Sequence, residues 1–148
     1  MDMMTVFATW DGKTTAELKD VAASLTVDDH PTLLSACDAG GKTGRAATWV
    51  LKSAYESGAS IAFPEDVLRG NPHWEVALHL LQSVKYAGAR VAPESVRPFL
   101  DHKKPMVRAW ALDAYVLLDG PDAAKYLRQA SNDLAASVRA RARNLRKK

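Results

Sequence analysis

At 148 residues, 47% apolar and 25% charged, the chain has the size of one domain and the make-up of a soluble globular protein, which excludes disorder along its whole length. The single cysteine, Cys37, excludes an intramolecular disulfide; with no secretory leader and no apolar run long enough to span a bilayer, a cytoplasmic location is expected. The net charge of +3 is unevenly spread: residues 1–70 carry 6 Lys/Arg against 10 Asp/Glu, and residues 71–148 carry 14 against 7.

In chain order, residues 1–12 hold Val6, Phe7 and Trp10 ahead of Asp11-Gly12 and read either as an extended lead-in or as a helix docked on the first pair. Thr14-x-x-Glu17 predicts a capping box opening a helix over 14–25. Further helices are predicted near 29–38, 43–57, 64–69, 72–87, 93–101, 105–119, 121–131 and 134–146, with short connections that favour antiparallel neighbours. From Pro105 onward, Val107, Trp110, Ala111, Ala114, Leu117 and Leu118 form one apolar face, and Leu112, Tyr115 and Val116 call for cover on a second side. In the last helix Leu134, Val138, Ala142 and Leu145 form the apolar stripe.

Two stretches repeat. Gly58-Ala59-Ser60-Ile61-Ala62-Phe63-Pro64-Glu65-Asp66-Val67 and Gly88-Ala89-Arg90-Val91-Ala92-Pro93-Glu94-Ser95-Val96 differ in length only by Phe63, and Gly58, Gly88 and Gly120 mark a unit of about thirty residues. Each glycine is expected to end a helix in a left-handed C′ conformation, and each proline to sit in the first turn of the next helix, where its missing N–H is not needed. The division is a single domain over 1–148, with a lead-in over 1–13, N-terminal helices over 14–58 and the clearest repeats over 59–148.

These repeats resemble HEAT repeats, in which an Asp in the internal turn is followed by Val-Arg and by small or apolar residues at threes. The match runs through Asp133, Val138-Arg139, Ala142 and Leu145; through Asp101, Pro105, Val107-Arg108, Ala111 and Ala114; and more loosely through Asp38, Arg45, Thr48 and Leu51. The second unit departs, with Asn71-Pro72 and Trp74-Glu75 at those places. Over residues 29–147 the resemblance implies an all-α fold: a short right-handed α-solenoid of about four antiparallel helix pairs. It also implies a structural ladder at Asp101, Arg108, Asp133 and Arg139.

Several sites invite a chemical reading. Ala36-x-x-x-x-Gly41-Lys42-Thr43 approximates a phosphate loop, but the preceding residues read as a helix where that chemistry needs a strand, so Gly40-Gly41 is taken as an inter-helix turn. No two of His30, His73, His79 and His102 lie three or four apart, so no metal pair is expected; Glu75 and His79 share a face, where a solvated contact suffices. Trp74, Trp110, Asp113 and Arg108 resemble, in residue type alone, the groove of HEAT-like DNA alkylation-repair glycosylases, and the two tryptophans are read instead as core. Arg139, Arg143 and Arg146 form one stripe of the last helix, continued by Lys147 and Lys148. That stripe is either the polar face of a capping helix or a contact to phosphates or an acidic surface. The expected function is a non-enzymatic protein–protein interaction or scaffold module with a protein partner, no cofactor and no membrane contact. The alternative is nucleic-acid binding through Arg139, Arg143, Arg146, Lys147 and Lys148.

Overall fold

A computed structural model describes residues 2–87 and 90–147, and every regular element among them is helical. Gly88, Ala89 and Lys148, which carry part of the second repeat and the end of the basic stripe, lie outside the described residues. The chain divides into two compact units, Met1–Tyr86 and Ala87–Lys148.

In the first unit the organising element is α4 (Gly41–Glu56), whose Ala46, Ala47, Val50, Leu51, Ala54 and Tyr55 are buried at helical spacing. Around it pack α1 (Met3–Thr9), α2 (Ala16–Ser24) and α3 (His30–Cys37). Of the two readings for the N-terminal residues, the docked helix holds: Val6, Phe7 and Trp10 are buried, and Trp10 Nε1 donates to the Thr14 carbonyl at 2.6 Å. The capping box at Thr14 does not form. Thr14 Oγ1 donates to Asp11, which also accepts from the Lys13 and Thr14 amides, and these bonds hold the Asp11 carboxyl down at about 2. An N-terminal signature of that kind stands instead at Thr26, whose amide and hydroxyl both donate to Asp29, at 2.9 and 3.1 Å. The unit continues through α5 (Glu65–Arg69) to α6 (Trp74–Ala87), whose last residue opens the second unit.

The second unit contains α7 (Pro93–Val96), continued by a 3₁₀ turn over Arg97–Asp101, then α8 (Pro105–Leu117), α9 (Ala123–Ala130) and α10 (Ala136–Arg146). Here α7 and its turn pack on α8, α9 packs on α10, and α10 stacks on α8. This is the translational packing that a repeated helix pair needs, because neither pair can cover its own apolar face. Ala109, Leu112, Ala130, Val138 and Ala142 form the shared core.

Two helix ends show how the repeat is punctuated. Gly58, at φ +96°, closes α4 as expected: its amide reaches Tyr55 O and the Ala59 amide reaches Ala54 O. At the end of α8 the roles shift by one residue. Asp119 takes the left-handed position at φ +53°, with its amide on Val116 O, and Gly120 follows with its amide on Tyr115 O. Glycine is required at 120 for a different reason, since a Cβ there would come within 2.3 to 2.5 Å of the ring carbons of buried Tyr115.

The apolar faces also differ from expectation at two places. Val107, Ala111 and Ala114 are buried, but Trp110 is half-buried and Leu117 is 54% exposed. Leu134 precedes α10 and is 99% exposed, so the buried stripe of that helix is carried by Val138 and Ala142.

Candidate functional site

On α8, Met106, Trp110, Asp113 and Leu117 recur at helical spacing and make a stripe outside the core. Met106 and Leu117 are each 54% exposed, and the half-buried Trp110 lies between them. Arg141 of α10 reaches this stripe. Its guanidinium carbon stands 4.3 Å from the Trp110 ring centroid, and Nη1 is 3.4 Å from Asp113 Oδ1. The reading of Trp74 and Trp110 as core residues is therefore corrected: both are half-buried, Trp74 stacking on His73 and Trp110 beneath a cation.

The basic stripe occupies another side of α10. Arg139, Arg143 and Arg146 follow one another at helical spacing, whereas Arg141, two residues from Arg143, is rotated from it by about 200°. Arg139 is not a free member, because its Nη1 donates to the carbonyls of Asp133 at 2.7 Å and Leu134 at 3.0 Å, closing the turn before α10. Arg143, Arg146 and Lys147 are exposed, and among the described residues their side chains have no hydrogen-bond or ion-pair partner.

Arg108 and Asp133 meet in a two-point ion pair, Nε to Oδ2 at 3.0 Å and Nη2 to Oδ1 at 2.8 Å, while Arg108 Nη1 donates to His102 O at 2.8 Å. Asp133 Oδ1 also accepts the Ala135 amide at 2.8 Å, and the Arg108 hydrogen bonds lead in holding its carboxyl below the ordinary carboxylate range. Asp101 stands apart: it is exposed at the end of its 3₁₀ turn, and its carboxylate has no partner among the described residues. Asp133→Ala is thus expected to cost about 2 kcal/mol, through the lost pair and the lost turn contact, and Asp101→Ala under about 0.5 kcal/mol. Urea unfolding of the two variants side by side checks this, and equal losses would refute it.

The first unit has its own cross-helix polar contacts. Arg45 pairs with Glu75 at 3.2 Å and lies 5.5 Å from the Trp10 ring centroid. The residue that breaks the Val-Arg pattern in the second repeat therefore supplies the acid for the arginine of the first. Buried His79 does not meet Glu75. Its Nδ1 lies in a hydrogen bond 2.9 Å from Thr48 Oγ1, which is also 3.0 Å from Gly44 O. Burial, and behind it the charges of Lys52 and Arg45, lowers the His79 pKa to about 4.

Gly40 and Gly41, at φ +75° and +55°, form the turn into α4. Among the described residues no group of three or more His, Cys, Asp or Glu is placed to hold a metal ion, and no helix is long and apolar enough to cross a membrane.

Sequence reasoning missed Arg141 on Trp110, Thr48 with His79 and Arg45 with Glu75. The signal that finds them is the repeat itself, because Thr48 and His79 are 31 positions apart, as are Trp110 and Arg141. Residues one period apart occupy equivalent places on stacked helices and become neighbours.

A family profile described as HEAT repeats matches residues 61–146. Among the curated proteins and the solved structures compared with it, none matches the chain. With its own helix pairs stacking at that period, and with more than half of its length matched, the chain belongs to the HEAT-repeat family.

Proposed function

We propose that the protein is a non-enzymatic interaction module that binds a partner protein through the α8 stripe. HEAT repeats generally mediate protein–protein interaction or scaffolding, which supports the class of function. The observation that carries the site is Trp110, half-buried under Arg141 and flanked on the same stripe by exposed Met106 and Leu117. Aromatic and arginine side chains set among apolar neighbours are the residue types that dominate binding energy at protein interfaces. The 3.4 Å pair to Asp113 occupies one guanidinium nitrogen, leaving Arg141 N–H groups that can donate to a second carboxylate. The partner segment that fits is an amphipathic helix with apolar residues at threes and fours and one acid opposite Arg141.

Photo-crosslinkers at positions 106 and 117, with one at Arg128 as control, should join one partner from the stripe alone. With that partner purified, Trp110→Ala should weaken Kd by about 10- to 100-fold, the cost of a hot-spot truncation, when followed by calorimetry. An affinity that Trp110→Ala leaves unchanged would remove the stripe from the interface.

A further inference from the structure

We infer that Arg143, Arg146 and Lys147 form a second, separate contact, which binds the phosphate backbone of nucleic acid. The three side chains are exposed, and from residue 134 to 147 the sequence contains no carboxylate that would neutralise them. The two other arginines of α10 are already engaged, Arg139 by backbone carbonyls and Arg141 by Asp113, so the unengaged charge lies on the side of the helix turned away from the Trp110 stripe.

What this side lacks decides the kind of partner. Its other residues are small or polar, Ala136, Ala140 and Asn144, and none of the exposed large apolar side chains lies on it. A protein interface needs a desolvated apolar centre to bind, with charges at its rim contributing little. Polyphosphate needs no such centre, because each cation placed against it releases a condensed counterion. Two of the three cations are arginines, whose planar fork takes two phosphate oxygens at once. Arg143 and Arg146, three apart on the helix, bring their Cβ atoms within about 5–6 Å of each other, close enough to serve neighbouring phosphates of one strand.

The contact carries no device for reading base edges, so it is sequence-tolerant and salt-dependent. The test uses the full chain and a labelled 20-base-pair DNA duplex of mixed sequence, followed by fluorescence anisotropy from 50 to 300 mM salt. Wild type should bind with an affinity that falls linearly on logarithmic axes. The triple variant Arg143→Gln/Arg146→Gln/Lys147→Gln should bind at least ten-fold more weakly at 50 mM salt, with the slope reduced by roughly 2 to 3, about 0.9 for each phosphate no longer neutralised. Arg143→Lys/Arg146→Lys keeps the charge and should retain the wild-type slope, which separates lost contacts from lost folding. The inference is overturned if wild type does not bind the duplex, or if the triple variant binds as wild type does. It is also overturned if charge-matched polyglutamate or phosphatidylserine vesicles displace the duplex as effectively as unlabelled DNA, since the side would then serve an acidic protein or a membrane.

Discussion

Gly120→Ala is expected to cost about 3 kcal/mol, the upper range for forcing extra volume into a packed interior. The φ of Gly120 is not in the left-handed region, so the loss does not come from backbone strain. It comes from Tyr115, which is fully buried and whose distal ring carbons lie only 2.3 to 2.5 Å from the place a Cβ would take. The ring has little room to retreat: its hydroxyl donates to Pro121 O and accepts from Arg97 at 3.3 and 3.4 Å, and it meets the Tyr126 ring in a T-shaped contact at a centroid distance of 5.3 Å. The measurement is urea unfolding in two backgrounds. In Tyr115→Leu, which deletes the distal ring atoms, the same alanine should cost far less, and the difference between the two losses is the collision itself. A Gly120→Ala protein as stable as wild type would show that the turn opens instead. The neighbouring Asp119→Gly change should act in the opposite direction, since glycine adopts the observed φ of +53° without penalty.

The second large effect concerns acid. In the folded chain the His79 pKa is near 4, below its ordinary 6.5, so between those values the unfolded chain binds the extra proton and the folded chain does not. Stability is therefore fully present above about pH 6.5 and falls as the pH drops toward 4, by about 3 kcal/mol in all. A protonated ring would be desolvated and would face the like charges of Lys52 and Arg45. His79→Gln should be less stable than wild type at pH 7.5, where it disturbs a buried contact, and should close most of that gap by pH 4. Parallel stability profiles for the two proteins would refute the assignment.

The helical class and the thirty-residue period are readable because they rest on local chemistry: prolines at first turns, glycine after α4, apolar residues at threes and fours. The register of side chains around α8 and α10 is not local. Spacing placed Trp110 and Leu117 with Val107 and Ala111, but which part of an apolar arc is buried depends on where the neighbouring helix lies, and α10 leaves one edge of that arc open. The left-handed residue after α8 was missed for a related reason. Glycine was the obvious candidate, yet packing against Tyr115 claimed it and left the strained position to Asp119. The basic stripe was visible as composition, while the commitment of Arg139 to a turn and of Arg141 to Trp110 required the packed pair of helices. The ladder motif located Arg108 and Asp133, and only the structure shows Asp101 standing outside their contact.

That contact has a consequence for how the second unit comes apart. In α9 Ala130 is buried and Tyr126 and Leu127 pack half-buried against the same core, so the apolar anchorage lies in the later part of the helix and its first turn has little. Asp133, in the turn that joins α9 to α10, is clasped by an arginine from the preceding pair. Local opening of α9 can proceed by fraying until it reaches that clasp, and from there only the two helices together can detach. Their amides should thus divide into a rapidly exchanging stretch at the start of α9 and a slower group around Asp133 and Val138 that exchanges as one cooperative unit.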